Sequence, residues 1–301
     1  MAQGKKTSFL RGKRMRATRV DAAGRPLIGE DNAVVTKGFI TVAFTTNTEE
    51  GEAITVTNAN GETCVAEPST PSFNGFSVEA TFCDVDFSLF SLITGQDLVY
   101  DAAGNVIGIV ESTDVDIAAV NFAMEMWLGA TSSGEEGVEY GYVLLPFLSG
   151  GIVGDYSIEN AAITFTLTGM KTKNGTGWGV GPYAVENVGG TPSALRTPLK
   201  ANDHRYTILT TVAPPAVYAG SIPVLDPSAD ALTALEAAVT GKKATLTPTP
   251  PSEDDVFYDF GDGQWDVSET GGFEHTYDAP GTYTVTARRG LTVKTAPVVI
   301  A

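Results

Sequence analysis

Four aspartates lie close together in the segment DVFYDFGDGQWD, residues 255–266. Such a cluster can bind a metal ion, support acid–base catalysis or form tight turns. A calcium-binding loop needs oxygen ligands at alternate positions, a glycine at position six and a glutamate at position twelve, and the segment does not supply that series. The letters Asp259-Phe260-Gly261 also occur in protein kinases, but the rest of the kinase signature is missing from the sequence. Neither chemical interpretation is complete, and tight turns remain the simplest one.

Other residues with catalytic potential are few. The two histidines, His204 and His275, are far apart in the sequence, and no HExxH, GxSxG or paired CxxC motif occurs. The glycine-rich stretch at 175–181 fits neither phosphate-binding spacing. We therefore expect no enzymatic activity, no cofactor and no bound metal. Two cysteines, Cys64 and Cys83, predict a reducing compartment, and a disulfide between them stays possible if their strands pair.

The formal net charge of −17 is unevenly distributed, because residues 1–19 contain basic residues and no acidic ones. The remainder is acidic and repels nucleic-acid phosphates, so we do not expect specific DNA binding. The favoured interpretation of residues 1–19 is a basic N-terminal arm that docks on an acidic neighbour or frays. Its basic residues are Lys5, Lys6, Arg11, Lys13, Arg14, Arg16 and Arg19.

The bulk composition bounds the fold. A chain of 301 residues is long enough for two domains, and 18% charged residues with 33 glycines and 16 prolines favour an all-β protein. No run of about 18 apolar residues is present, which predicts no membrane-spanning helix. The first residues lack the apolar stretch of a secretory signal, so we expect no export by that route.

Alternating apolar and polar residues predict strands through the first two hundred positions. In residues 38–47 the alternation places Ile40, Val42 and Phe44 on one face. In residues 161–169 it places Ile163, Phe165 and Leu167 on one face. Residues 114–129 change phase at Ala118–Ala119, which predicts a bulge within a long strand.

Two segments have helical patterns instead. Residues 84–95 offer Asp84 or Asp86 as the N-cap, an apolar stripe, and Gly95 as the stop. Residues 226–241 place a proline in the first turn and leucines at helical spacing, which predicts a second helix.

Turns and loops divide the rest of the chain. Residues 20–29 and 100–108 share the letters Asp-Ala-Ala-Gly, which predicts two similar tight turns with glycine at positive φ. Residues 169–203 show no periodicity, as expected of a functional or partner-covering loop. The proline-rich stretch that follows predicts a domain boundary near Val212–Pro214.

The sequence around the aspartate cluster, YDFGDG followed by HTYDAPGTYTVTARR, resembles the PKD type of immunoglobulin-like domain over about residues 241–301. In that family the phenylalanine fills the core of a β-sandwich, while the glycines and aspartates form a tight turn. The resemblance therefore implies that the aspartates turn the chain and are not catalytic. Tyr258 departs mildly from the tryptophan usual there. The motif residues are Tyr258, Asp259, Phe260, Gly261, Asp262, Gly263, His275, Tyr277, Gly281 and Tyr283.

Most of residues 8–212 resemble the major tail protein of long-tailed phages with non-contractile tails. The resemblance is carried, in order, by FLRGKRMRATRVDAAGRPLIGEDNAVVTKGFITVAFTTNTEEGEAITVTNANGETC, VEATFCDVDFSLFSLITGQ and GWGVGPY. It implies an all-β chain in two parts. Residues 1–212 would form a tail-tube β-sandwich or barrel domain with one short helix and long loops. Residues 213–301 would form a small Ig-like, PKD-type β-sandwich, with a linker around residues 212–225.

The same resemblance implies a structural virion protein. Subunits would form rings, with six-fold symmetry expected, that stack into a tube through which viral DNA passes without specific binding. The C-terminal domain would decorate the outer surface and be dispensable. Expected partners are copies of the chain and the tape measure, tail terminator and distal tail proteins. The expected location is the virion tail, assembled in the host bacterial cytoplasm.

Expected assembly or lumen contacts are Glu49, Glu50, Glu52, Lys5, Lys6, Arg11, Lys13, Arg14, Arg16 and Trp178. The alternative is an extracellular binding or adhesion protein that carries a PKD module.

Overall fold

The computed structural model describes residues 7–84, 86–131, 139–156, 163–175 and 177–301. These residues are almost entirely β-structure, as expected. Within them, the α-helix α1 covers Phe87–Thr94 and a short 3-10 turn covers Ile117–Ala119. In chain order the strands are β1 (Ser8–Arg19), β2 (Gly29–Thr36), β3 (Phe39–Glu49), β4 (Ile54–Thr57), β5 (Thr63–Glu67), β6 (Ser72–Phe82), β7 (Asp97–Tyr100), β8 (Val106–Val110), β9 (Asn121–Thr131), β10 (Glu139–Ser149), β11 (Ile152–Val153), β12 (Phe165–Thr172), β13 (Glu186–Val188), β14 (Thr191–Ser193), β15 (Tyr206–Thr210), β16 (Ile222–Val224), β17 (Ala234–Thr240), β18 (Lys243–Thr249), β19 (Val256–Asp259), β20 (Trp265–Ser268), β21 (Phe273–Thr276), β22 (Gly281–Arg289) and β23 (Thr292–Ile300).

The main sheet has ten strands and an antiparallel order of β16-β2-β1-β9-β10-β12-β6-β3, with β11 beside β12 and β15 beside β10. One face packs with α1 around an apolar core that includes Met15, Phe82, Ile93, Met124 and Leu145. The opposite face carries a second cluster beneath the segment between β12 and β15. Both faces are therefore covered over the middle of the sheet.

Residues 8–19 are not an arm. They form β1, which lies inside the main sheet between β2 and β9, and Met15 and Ala17 are fully buried. The expectation of a basic arm was wrong for these residues because β1 pairs with β9 from Ser8 to Arg19 and its second half is buried, neither of which its local charge reveals. Lys5 and Lys6 lie outside the described residues.

The first predicted helix is confirmed as α1. The Asp86 carboxylate accepts hydrogen bonds from the backbone N–H groups of Ser88 and Leu89, at 2.9 and 3.3 Å, and Gly95 ends the helix at φ 74°. These contacts satisfy donors that a helix start otherwise leaves unpaired.

The second predicted helix, over residues 226–241, is wrong. Its second half forms strand β17, which pairs with β18 and places Leu235 opposite Pro248. Alanine, leucine and glutamate favour helices by only tenths of a kcal/mol per residue (about 0.7 at most), so pairing and core packing override that preference.

Two local expectations in the first domain also need correction. A register shift between Phe39 and Thr41 leaves Ile40 54% exposed, while Phe39, Val42 and Phe44 pack against the core. Residues Ile117–Ala119 form the 3-10 turn before β9, so the phase change there is the start of a strand and not a bulge within one.

The two Asp-Ala-Ala-Gly turns are confirmed as similar. In each, the aspartate side chain accepts hydrogen bonds from the backbone two and four residues later, at 2.8 and 2.9 Å, and the glycine has φ near 85°. The first turn links β1 to β2, and the second links β7 to β8. Their aspartates, Asp21 and Asp101, therefore act as turn formers.

The C-terminal part is a two-sheet sandwich. One sheet has the order β17-β18-β21 and the other β20-β19-β22-β23. The buried residues between them include Leu246, Tyr258, Phe260, Val285 and Val298. Inward-facing residues from both sheets form this core, as the resemblance to an immunoglobulin-like sandwich predicts.

Two further observations complete the fold. Cys64, on β5, and Cys83, just after β6, are both free and exposed, so the possible disulfide does not form. In the described part of the chain, no helix is long and apolar enough to cross a membrane.

Candidate functional site

The aspartate cluster of the C-terminal domain holds a turn. The Asp259 carboxylate accepts hydrogen bonds from the Gly261 N–H at 3.0 Å and the Tyr218 hydroxyl at 2.9 Å. The Asp262 carboxylate accepts one from the Gln264 N–H at 3.0 Å and lies 2.7 Å from His275 Nε2. Their oxygens are thus engaged within the chain. Among the described residues, no group of three or more His, Cys, Asp and Glu side chains could hold a metal ion.

The neighbouring motif residues form the core behind that turn. Phe260 is buried, and its ring stacks on His275 with ring centroids 3.9 Å apart. The Tyr277 hydroxyl donates to the Phe260 carbonyl at 3.0 Å. Gly261 has φ 78°, and a Cβ there would lie 2.7 Å from the Thr284 carbonyl oxygen, so glycine is required. Gly263 (φ 93°) and Gly281 lie in the same end of the sandwich.

A buried ion pair crosses the main sheet where the sequence suggested only a basic arm. Arg16 on β1 donates two hydrogen bonds to Glu125 on β9, from Nε at 2.5 Å and from Nη2 at 2.7 Å. The Tyr142 hydroxyl donates to the same carboxylate at 2.7 Å. Glu125 is fully buried, and this bidentate arrangement compensates the loss of hydration that burial imposes on both charges.

Aromatic rings complete the surroundings of Arg16. Its guanidinium carbon lies 3.2 Å from the centroid of the Tyr183 ring and 5.1 Å from that of Trp127. Burial is the largest single influence and would lower the pKa of Arg16, but Glu125 together with Tyr183 and Tyr142 raises the pKa above its ordinary value. Burial raises the pKa of Tyr183 to about 12. Arg16 therefore stays charged and serves the packing of the domain, not an exposed contact.

The other basic residues expected in assembly differ in exposure. Arg11 is exposed, whereas Lys13 and Arg14 are half-buried on β1. The Arg14 side chain donates to the Lys13 carbonyl at 2.7 Å, and its buried Nε has no partner. Arg11 is thus the exposed member of the four basic residues of β1 expected in assembly.

The acidic residues Glu49, Glu50 and Glu52 are all exposed where β3 ends. The Glu50 carboxylate accepts a hydrogen bond from Ser69 at 3.2 Å, and Glu49 accepts one from Asn74 at 3.4 Å. These contacts are local, and the three side chains form a solvated acidic tip.

The hairpin of β4 and β5 follows this acidic tip in the chain, and every residue of its two strands is exposed. Its apolar side chains are 49% exposed at Ile54, 49% at Val56 and 50% at Val65, and Val56 lies opposite Val65. Phe73, on the following strand, is 52% exposed. An isolated two-stranded hairpin is marginally stable in water, and the apolar side chains of this one stay open to solvent among the described residues.

Trp178 lies in the long segment between β12 and β15, and only 4% of it is exposed. Trp178 packs in the cluster with Phe147, Val185 and Leu195. Gly177 fixes the segment against the turn at Asp21, since a Cβ there would lie 2.3 Å from the Arg25 nitrogen. The segment is thus folded onto the sheet. Because Trp178 is buried, its side chain is not exposed for the expected assembly contact.

The two parts of the chain share an apolar contact. Strand β16 pairs with β2 of the main sheet, placing Ile222 opposite Ala33. Phe257 of the C-terminal sandwich packs in one cluster with Ala33, Val35, Ile222 and Val224. This contact argues against a dispensable C-terminal domain, because its removal would expose β2.

Sequence reasoning missed the ion pair and this contact. Arg16 and Glu125 are 109 positions apart, and neither lies in a recognisable motif. Tyr218, which bonds Asp259, lies in the proline-rich stretch predicted only as a linker. These contacts pair residues that are distant in the sequence, and a single sequence does not reveal which distant residues pair.

In comparisons with known proteins, the match found lies in the second part of the chain. No curated protein matches the sequence. Residues 221–296 match the PKD domain family. This match includes the aspartate turn, the stacked Phe260 and His275 and the sandwich core described above. The C-terminal part of the chain is therefore a PKD domain with an immunoglobulin-like fold.

Proposed function

We propose that the chain is a structural subunit that assembles with its own copies into stacked rings, forming the tail tube of a long-tailed phage. The PKD domain would lie on the outside of the tube. The fold of the first part is compatible with this role, since it is all-β with a single α-helix among its described residues.

The exposed β4–β5 hairpin is the observation that carries this proposal. In the isolated chain, the side chains of Ile54, Val56 and Val65 are exposed and do not gain the free energy of burial. That free energy is about 1.5–3 kcal/mol for each fully buried side chain of this size. A neighbouring subunit that covers the hairpin recovers much of it. Strand β3 adds an open edge, because in the described part of the chain it pairs with β6 on one side only. Open edges of this length favour pairing between chains.

Charge explains why such a tube would conduct DNA without binding it. Each copy carries a formal net charge of −17, so a wall of these subunits repels phosphate. The same charge opposes assembly between copies. Salt screens charges over about 8 Å at physiological strength, so we expect assembly to increase with salt concentration.

The test is negative-stain electron microscopy and sedimentation of the purified chain across protein and salt concentration. We expect rings or tubes with a central channel. Val56→Asp should abolish them while leaving the circular dichroism spectrum unchanged. The matched control is Val299→Asp, which alters an exposed valine of the PKD domain and should still assemble.

Two outcomes would contradict the proposal. One is assembly of Val56→Asp as efficient as that of the unaltered chain. The other is a monomer under every condition, combined with absence of the protein from purified virions. The second result, together with specific binding to a cell surface, would favour the alternative of an adhesion protein carrying a PKD module.

A further inference from the structure

A cleft of about 410 Å³ lies between the first part of the chain and the PKD domain. We propose that it binds an organic anion with an apolar body, such as an aromatic carboxylate. Its volume is within the range of about 300–1,000 Å³ that is typical of small-molecule sites. The inference does not depend on the proposed function.

The walls of the cleft come from four parts of the chain. Arg16 and Trp127 contribute from the main sheet, and Tyr183 and its neighbours from the segment between β12 and β15. The remaining walls are the linker at 212–216 and the PKD domain, which contributes Leu232, Arg288 and residues 290–294, where β22 turns into β23. The site therefore requires both the first part and the PKD domain.

The charge of the lining is opposite to that of the whole chain. Three basic residues line the cleft and no acidic residue does, although the chain contains 36 acidic and 19 basic residues. Arg16 is neutralised by Glu125. Arg288 and Lys294 form no ion pair with any described residue. These two cations are available to an anionic ligand, and they are only partly exposed.

One wall of the cleft includes an aromatic ring, that of Trp127. Its indole Nε1 is buried and has no hydrogen-bond acceptor within the described residues. Because this nitrogen is closed off from solvent, a ligand in the cleft would contact the ring and not the N–H group. Trp127 therefore adds to the apolar part of the lining.

The rest of the lining determines the body of the ligand. It is mostly apolar and includes Pro182, Pro192, Pro214, Pro215, Val212 and Leu232. These side chains offer neither donors nor acceptors, so the two cations compensate only one end of a bound molecule, and a uniformly hydrated anion such as free phosphate would lose part of its hydration. A flat apolar group with one acidic end fits both the apolar side chains and the two cations of the lining.

The test is isothermal titration calorimetry of the full chain with 2-naphthoate and with its neutral counterpart, 2-naphthamide. We expect naphthoate to bind with one site per chain and the amide to bind at least about tenfold more weakly, the effect of one charge-assisted contact. The double variant Arg288→Gln/Lys294→Gln should weaken naphthoate binding at least tenfold. Lys200→Gln, which removes an exposed cation elsewhere, should leave it unchanged.

Folding of the variants is checked by thermal unfolding, and both altered side chains of the double variant are partly exposed. Equal affinity for naphthoate and naphthamide would overturn the proposal, and so would unchanged affinity in the double variant. Absence of binding at millimolar naphthoate would also overturn it. None of these outcomes bears on tube assembly, which is measured separately.

Discussion

The two parts of this chain each contain a carboxylate within hydrogen-bonding distance of a nitrogen-bearing side chain, and the two pairs differ in how far apart their members lie in sequence. Asp262 and His275 are 13 positions apart within one motif, whereas Arg16 and Glu125 are 109 apart. The first pair tightens a turn beside solvent. The second crosses the middle of a sheet that is covered on both faces. Short-range pairs stabilise a local shape, while a long-range buried pair couples the strands that build the whole domain.

The largest effect should follow from breaking the long-range pair. Glu125→Ala leaves Arg16 buried without its counter-charge, and removal of one partner of a buried pair costs about 3–5 kcal/mol. We expect the free energy of unfolding of the first part to fall by that amount in urea denaturation. A matched control is Glu274→Ala, which alters an exposed carboxylate paired with Lys243 and should cause no measurable loss. Equal stability of Glu125→Ala and the unaltered chain would contradict the coupling role.

A smaller effect should follow from breaking the short-range pair. Asp262→Ala removes the acceptor of the Gln264 N–H and the partner of the largely buried His275, and leaving such groups unpaired costs about 1–3 kcal/mol. We expect the loss in the unfolding of the PKD domain, with the first part unchanged. Asp266→Ala is the control, since that carboxylate bonds only its neighbour Val267 among the described residues. A loss in both parts, or in neither, would break the comparison.

The smallest effect concerns pH. Burial lowers the pKa of His204, with a weaker opposing effect from Asp203, and its Nδ1 lies 2.8 Å from the Thr172 hydroxyl. Because the folded-state pKa is below the unfolded value of about 6.5, the unfolded chain takes up the proton first as pH falls. Stability from this group is therefore present above pH 6.5 and declines below it. Measured between pH 7.5 and 5, unfolding of His204→Asn should show a shallower decline.

Much of the fold was predictable where a short stretch of sequence is sufficient. The cap at Asp84 or Asp86, of which the structure selects Asp86, the stop at Gly95 and the paired turns at Asp21 and Asp101 depend on neighbours within a few positions. The core position of Phe260 was expected from the family resemblance instead. The two errors have different causes. Residues 8–19 were interpreted as an arm from their charge, but they pair with β9, and Arg16 and Glu125 are 109 positions apart. Residues 226–241 were interpreted as a helix from their propensity, which hairpin pairing with β18 and packing of Leu235 in the sandwich core override. In the candidate sites, Glu49, Glu50 and Glu52 were chosen from local sequence, whereas the cleft depends on segments that are distant in the chain.

The sequence alone determined the PKD motif, the all-β composition and the turns, since these follow from backbone preferences and side chains close together in the chain. The tertiary structure decided that Arg16 is buried against Glu125, that Trp178 is covered, and that β16 joins the main sheet. It also brought Trp127, Arg288 and Lys294 to one cleft. The physical reason is that burial and pairing energies depend on which distant segments meet, and composition and periodicity carry no record of that meeting.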